Sequence, residues 1–368
     1  MDKGHHKLKQ AGIATVAQLD EFDEIIDVRS PSEFAEDHIP GARNCPVLND
    51  EERARVGTTY KQVSAFEAKK IGAALVSRNI AHHLEQEFVD KPRNWRPLIY
   101  CWRGGSRSGS MVEVFNRIGW RAERLDGGYK AYRRTVLEEL KTLPGSLEYR
   151  VVCGLTGSGK SRLLQALKRA GAPVLDLEQL AAHRGSVLGN LPDEPQPTQK
   201  QFESDIWWAL RHFSPGTPVF VEAESKKIGN VRVPDALIAT MWQSPCIRLD
   251  VDSRLRVALL KEEYVHFLED PKVLHQKLDF LVGIYGHETI ARWKEMSERH
   301  EWDFFVHEIL ERHYDPAYTR SMRKHYPHYD ECLALTTTKI GDAAMDQLAR
   351  QALSANDPAG ETHSSTEA

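Results

Sequence analysis

The chain has 368 residues, 41% hydrophobic and 28% charged, more than twice a typical domain of roughly 150 residues, so two domains are expected. Such a composition excludes collagenous, disulfide-scaffold and wholly disordered proteins. The net charge is −4; three of the 53 acidic residues and none of the 49 basic ones fall in 353–368, so the body is about neutral and any polyanion site must be a local cluster.

No run reaches the roughly 18 apolar residues of a membrane-spanning helix, and the first ten residues, MDKGHHKLKQ, lack the apolar stretch of a signal peptide. Cysteines 45, 101, 153, 246 and 332 form no Cys-x2-Cys pair, against a zinc ribbon or a disulfide framework. A cytoplasmic protein with no membrane partner is expected. Neither His5-His6 nor His82-His83 has the spacing of metal ligands, so no metal site is expected.

Ile25-Ile26-Asp27-Val28-Arg29 reads as a buried strand, followed by a helix start with Ser30 as N-cap, Pro31 in the first turn and Glu33 three residues on. His38-Ile39-Pro40-Gly41-Ala42 turns into a second strand. Residues 50–90 have the composition and spacing of a helical insertion. Pro97-Leu98-Ile99-Tyr100 is another buried strand, entering a Gly-rich loop, and a helix is predicted over 109–118. Alternating strands and helices predict an α/β domain with a mainly parallel sheet over 1–140. A linker over 141–148 leads to a second α/β pattern over 149–352. Its strands are expected at 149–153, 173–177, 218–222 and 246–251, its first helix at 162–170, and mostly helix beyond Arg254. The Ser/Thr/Glu-rich tail, 353–368, reads as disordered.

Cys101 opens the first chemical loop, Cys101-Trp102-Arg103-Gly104-Gly105-Ser106-Arg107-Ser108. Successive N–H groups and a helix N-terminus form an anion cradle there, and Arg103 and Arg107 add full charges. Both effects favour thiolate, as a nucleophilic cysteine requires. Trp102 to Arg107 is therefore the candidate anion-binding loop, and the other four cysteines read as structural. With Ile26-Asp27-Val28-Arg29, Glu33-Phe34, His38 to Ala42 and Leu125-Asp126-Gly127-Gly128-Tyr129, this loop resembles the rhodanese family of sulfur-transfer domains over about 12–138. That resemblance implies a cysteine carrying a persulfide or related chalcogen. Two features depart from it: the 50–90 insertion is longer than usual, and the loop is Cys-x5-Arg where sulfurtransferases more often have Cys-x4-Arg. The longer loop should admit a larger tetrahedral anion.

Gly154-Leu155-Thr156-Gly157-Ser158-Gly159-Lys160-Ser161 is a P-loop pattern between a strand and a helix. Gly154, Thr156, Gly157, Ser158 and Gly159 would cradle phosphates by backbone N–H, Lys160 would reach the outer phosphates, and Ser161 can hold Mg²⁺. Asp176 and Glu222, each ending a predicted strand, are candidates to support metal or phosphate, with solvated capping as the alternative. The pattern leaves open whether the ligand is a nucleotide or another diphosphate.

Val56 to Lys61, Cys101 to Gly105, His183-Arg184-Gly185-Ser186, Gln196-Pro197-Thr198-Gln199, Glu222-Ala223-Glu224-Ser225 and Tyr314-Asp315-Pro316-Ala317-Tyr318 extend the likeness. Over about 10–350 the chain resembles the tRNA 2-selenouridine synthase family. The resemblance implies a transferase acting on wobble 2-thiouridine in the tRNA anticodon loop. It would first attach geranyl from geranyl diphosphate to sulfur, then replace the geranylthio group by selenium from selenophosphate. No tightly bound cofactor is expected, and a selenophosphate-supplying enzyme is a candidate partner. Trp207 and Trp208 are candidates for the hydrocarbon, with a core role as the alternative. Arg133, Arg134, Arg184, Lys226, Arg323 and Lys324, most of them within basic clusters, are candidate tRNA contacts. A plain sulfurtransferase or a Cys-x5-Arg phosphatase with a regulatory P-loop domain, and a nucleotide-dependent kinase or binding module, are the alternatives.

Overall fold

The computed structural model describes residues 12–186, 188–327 and 329–355. The chain divides into two compact units, Met1–Glu139 with Glu203–Trp208, and Leu140–Phe202 with Ala209–Ala368. Among the described residues no helix is long and apolar enough to cross a membrane.

The first unit is built on an all-parallel sheet of β1 (Ile13–Ala14), β2 (Glu24–Asp27), β3 (Arg43–Asn44), β4 (Pro97–Tyr100) and β5 (Glu123–Leu125), in the order β1-β5-β4-β2-β3. β4 is buried along its whole length, as expected of a central strand with both faces covered. Helix α1 (Pro31–Glu36) starts as the sequence predicts: Ser30 and Glu33 form a capping box with Pro31 in the first turn. The 50–90 insertion is a pair of helices, α2 (Asp50–Gln62) and α3 (Ala65–His83), each opened by a side-chain cap, Asn49 and Ser64. Helix α4 (Ser106–Ile118) begins three residues earlier than predicted, which puts Arg107 and Ser108 into its first turn. Helix α5 (Gly128–Glu139) follows β5. Phe88, Trp95, Phe115 and Trp120 pack with ring centroids 5.1–5.7 Å apart at the centre of the core.

In the 141–148 segment Pro144 and Leu147 are buried, so this stretch packs rather than hangs free. The second unit carries another parallel sheet, from β6 (Tyr149–Cys153), β7 (Val174–Leu175), β8 (Val219–Glu222), β11 (Cys246–Val251) and β12 (Leu333–Thr337), ordered β12-β11-β6-β8-β7. A short hairpin, β9 (Lys227–Ile228) and β10 (Val231–Arg232), stands apart. The region beyond Arg254 is mostly helical, as expected, and β12 is a strand within it that the sequence did not suggest. Its Leu-Ala-Leu-Thr-Thr is too short and too exposed to stand out, and it is strand because it pairs with β11 over five residues. Helices α6 (Lys160–Arg169), α7 (Leu177–Leu180), α8 (Gln199–Arg211) and α9 (Asp235–Gln243) connect the strands. A helical layer follows, of α10 (Ser253–Glu263), α11 (Val265–Glu269), α12 (Pro271–Leu278), α13 (Val282–Glu298), α14 (Trp302–Ile309) and α15 (Asp315–His325). It packs around Phe267, Leu278, Trp293 and Phe305. The last helix, α16 (Asp342–Ser354), runs into the segment expected to be disordered, burying Leu348 and Ala352; the rest of that tail, 356–368, and His5-His6 lie outside the described residues.

Candidate functional site

Cys101 directly follows β4 and is 3% exposed. The loop after it closes so tightly that glycine is required at two places. Gly104 has φ +62, and a Cβ there would lie 2.5 Å from the Leu125 carbonyl oxygen; Gly128 has φ +57, and a Cβ would strike the Cys101 carbonyl. The Tyr129 N–H donates to the Cys101 carbonyl at 2.9 Å and the Lys130 N–H to that of Trp102 at 3.1 Å. The Asp126-Gly127-Gly128-Tyr129 motif is thus the clasp of the cysteine loop. Below it, buried Arg29 pairs with Asp27 and lies 4.1 Å from the centre of the Tyr129 ring.

Ser108, which the sequence reading did not single out, is fully buried and donates from Oγ to Cys101 Sγ at 3.2 Å. Burial pushes the thiol pKa up. Hydrogen bonds from Ser108 and from the Arg103 N–H, with the Arg107 charge, outweigh burial and hold it below its ordinary value. Cys45, buried without such donors, is pushed up to about 12. Arg107 is anchored rather than loose: its Nη1 sits 2.8 Å from Glu33 Oε2, an oxygen that Arg53 also reaches at 3.0 Å. Arg103, Gly105 and Ser106 are exposed around the loop.

In the second unit the P-loop runs from β6 into α6, with Gly157 and Gly159 at φ +78 and +88. Lys160 Nζ folds back to donate to the Gly154 carbonyl at 3.0 Å. The Gly154 N–H donates to Tyr318 Oη at 2.9 Å. Arg256 Nε donates to the Thr156 carbonyl at 2.9 Å, and Asp315 grips that guanidinium at 2.9 and 2.5 Å. The Tyr314–Tyr318 stretch therefore braces the loop through Asp315 and Tyr318. Arg256 carried no sequence signal at all. Gln196 and Gln199 likewise brace the second unit: Gln196 bonds the backbone of Ala181, Ile228 and Asn230, and Gln199 that of Arg232.

A cavity of about 720 Å³ opens over this loop. Lys160, Ser161, Arg184 and Lys226 face it from the polar side, together with Glu178 and Glu224. The two acidic residues selected from sequence are placed differently. Asp176 lines the cavity, but its Oδ1 accepts from the Gln179 N–H at 2.8 Å as the cap of α7. Glu222 is 2% exposed and is not a cavity wall; its Oε1 accepts from the Glu178 N–H at 2.6 Å and its Oε2 has no partner. Burial, then the charges of Asp176, Glu178 and Glu224, push its carboxyl far above the usual range. Glu178 is the carboxylate that meets the P-loop, accepting from Ser161 Oγ at 3.1 Å. Gly185, at φ +63, leaves room for it: a Cβ there would lie 2.5 Å from Glu224 Oε1 and 2.7 Å from Glu178 Oε1. Only the resemblance motifs His183–Ser186 and Glu222–Ser225 pointed here.

The cations expected on tRNA differ in exposure and in partners. Arg133 is only 13% exposed and is paired with Asp37 and Glu203. Arg184 donates to the Glu263 carbonyl at 2.6 Å and lies over Tyr264, inside the cavity. Arg134, Lys226, Arg323 and Lys324 are exposed, Lys226 over the ring of Trp242 and Arg323 beside Asp330. Trp207 takes the core role: it is 1% exposed, edge-on to Tyr132 in the first unit.

Residues 13–135 match the model of the rhodanese-like domain, and residues 147–280 that of the tRNA 2-selenouridine synthase AAA domain. Three relatives named tRNA 2-selenouridine synthase set the scale. The protein of Hydrogenovibrio crunogenus is 32% identical over 348 residues, covering 84% of this chain and 94% of its own. Those of Nitrosomonas europaea and Marinobacter nauticus are 38% and 39% identical over 245 and 248 residues, 66% of this chain in each case. The chain spans slightly under two thirds of these two relatives, 63% and 65%.

Proposed function

The chain belongs to the tRNA 2-selenouridine synthase family, and we propose that it converts wobble 2-thiouridine of tRNA into 2-selenouridine in two steps served by its two loops. In the first, the thiouridine sulfur attacks C1 of geranyl diphosphate and diphosphate leaves on the P-loop. In the second, the selenium of selenophosphate attacks C2, the geranylthio group leaves as the thiol, and water cleaves the P–Se bond to release phosphate. A thioether at C2 leaves far more readily than a thiocarbonyl, which is why alkylation comes first.

The observation that carries this reading is the unequal equipment of the two anion cradles. One holds a thiol below its ordinary pKa among Ser108, Arg103 and Arg107. The other holds a lysine, Lys160, and among the described residues no cysteine lines its cavity. The first suits chalcogen transfer from a tetrahedral anion, the second a diphosphate leaving group. Ser161 and Glu178, 3.1 Å apart, are the residues that would hold a Mg²⁺ ion brought in with the diphosphate, whose contribution there is charge neutralisation. The target base must be splayed from the anticodon loop to be reached.

Mass spectrometry of nucleosides from digested tRNA tests the reading. Cells carrying Cys101→Ala should accumulate S-geranyl-2-thiouridine, cells carrying Lys160→Ala should retain 2-thiouridine, and the double variant should resemble Lys160→Ala. Loss of the geranylated nucleoside in Cys101→Ala would refute the division between the loops.

A further inference from the structure

The motif from Val56 to Lys61 and the turn after it have no part in either loop's chemistry. They form the tip of the α2–α3 hairpin, where three large side chains stand in solvent: Tyr60, Val63 and Phe66 are 61%, 71% and 68% exposed. Exposed apolar residues scattered singly need no explanation, but three gathered at one turn make a patch. The tip is held in shape. The N–H groups of Val63 and Ser64 both donate to the Thr59 carbonyl, at 2.9 and 3.1 Å, and the Ser64 side chain caps α3 by accepting from the Glu67 N–H. Val56 packs against α3 at Gly72. None of the residues of α2 is buried, so core packing does not account for the aromatic at its end.

Charge selects the partner. From Arg53 to Lys70 the chain carries Arg53, Arg55, Lys61, Lys69 and Lys70 against Glu67 alone, in a body that is about neutral. Arg53 pairs with Glu33, and Lys70 pairs with Glu67 and lies 5.2 Å from the centre of the Phe66 ring. Arg55, Lys61 and Lys69 are exposed and make no ion pair among the described residues. The acids of the hairpin, Asp50, Glu51 and Glu52, gather at its other end, in the first turn of α2. Unpaired cations beside open ring faces suit single-stranded nucleic acid, whose phosphates take the charges while its bases stack. The same helix also reaches the cysteine loop. Arg53 and Arg107 share Glu33 Oε2, at 3.0 and 2.8 Å, and Tyr60 follows Arg53 along α2 by about 10 Å of helix rise. We propose that the hairpin tip binds unpaired nucleotides of the anticodon loop next to the reacting one, with Tyr60 and Phe66 stacking on bases and Arg55, Lys61 and Lys69 holding phosphates. This rests on the reading above that tRNA is the substrate. It adds the surface that grips the loop while one nucleotide is presented to Cys101.

Fluorescence anisotropy of a labelled anticodon stem-loop RNA, titrated with the full chain at several salt concentrations, tests the surface. Tyr60→Ala combined with Phe66→Ala should weaken binding about tenfold or more through lost stacking and leave the salt dependence as it is, whereas Tyr60→Phe, which keeps the ring, should bind as wild type does. Arg55→Gln, Lys61→Gln and Lys69→Gln together should weaken binding and lower the slope of log affinity against log salt by about 2. In selenation of pre-geranylated RNA both losses should fall on KM, and an unchanged Cys101 thiolate titration shows that the first unit is folded. If wild type binds the RNA and both combined variants match it in affinity and salt slope, the tip is no RNA contact, and the tRNA reading stands without it. If the aromatic variant keeps its RNA affinity but dissociates a dimer that wild type forms in sedimentation, the patch joins two copies of the chain and the proposal falls. If wild type does not bind the RNA, the tRNA reading itself falls.

Discussion

Ser108→Ala isolates the device that activates Cys101. The hydroxyl is fully buried and its Oγ donates to Sγ at 3.2 Å; removing it takes one donor from the thiolate and leaves the Arg103 N–H and the Arg107 charge in place. A hydrogen bond to a charged group is worth about 1.5–3 kcal/mol, and the lower end is about tenfold in an equilibrium constant. The thiolate population, at any pH below its titration midpoint, should therefore fall about tenfold, and the ascending limb of the selenation pH profile should move to higher pH. Folding should change little, because alanine keeps the helix and the volume lost is one oxygen. The assay is the ultraviolet thiolate absorbance of the variant against wild type, with Cys101→Ala subtracted from both to remove the other cysteines. Selenation of pre-geranylated RNA, followed across pH, gives the second readout. An unchanged thiolate titration together with an unchanged pH profile would show that the backbone donors and Arg107 suffice, and that Ser108 merely fills space.

Asp315→Ala should strip the buried Arg256 of its partner, costing about 3 kcal/mol in thermal or denaturant unfolding, and should weaken inorganic diphosphate binding by loosening the Thr156 carbonyl, as calorimetry would register. Gly185→Ala should displace the Glu178 and Glu224 carboxylates and strain a left-handed residue, lowering geranylation while leaving the Cys101 thiolate titration untouched. Glu222 has its folded pKa raised above the unfolded one, so its protonated form contributes stability that is complete at acid pH and is lost as pH rises toward the folded pKa. Glu222→Gln should then match wild type in melting temperature below the ordinary glutamate range and exceed it by a margin that grows with pH.

The cysteine loop and the P-loop were legible because each is a backbone solution that only a few residue types allow. Glycine at φ +62 and +57 around Cys101, and at φ +78 and +88 in the P-loop, leaves a mark no packing argument can substitute. The capping box of α1 and the strands β4 and β11 were legible for the same local reason. What stayed hidden depends on distant partners. Arg256 is an ordinary helical arginine until Asp315, 59 residues on, grips it against Thr156. Ser108 matters only because α4 begins at Ser106 rather than at 109, turning a small polar residue onto the thiol. β12 exists because β11 offers an open edge.

The carboxylates show the same limit in reverse, and they explain how the P-loop cavity keeps its charge in balance. A strand-end acid, Glu222, was the natural choice from sequence, yet it lies behind the wall, and burial together with the neighbouring acids raises its pKa. It serves by receiving the Glu178 N–H, and so fixes the start of α7. Glu178 can then turn its side chain to Ser161, with Gly185 leaving the space it needs. Lys160, meanwhile, is folded onto the Gly154 carbonyl and lies 5.5 Å from the centre of the Tyr318 ring. Its ammonium offsets part of the acidic charge of Glu178 and Glu224. On the proposed reading an arriving diphosphate would exchange one carbonyl for phosphate oxygens around a lysine already at the loop, which costs little reorganisation. Glu222 thus orients the start of α7 and Glu178 meets the loop's own Ser161, and sequence position alone could not tell the acid that orients from the acid that touches.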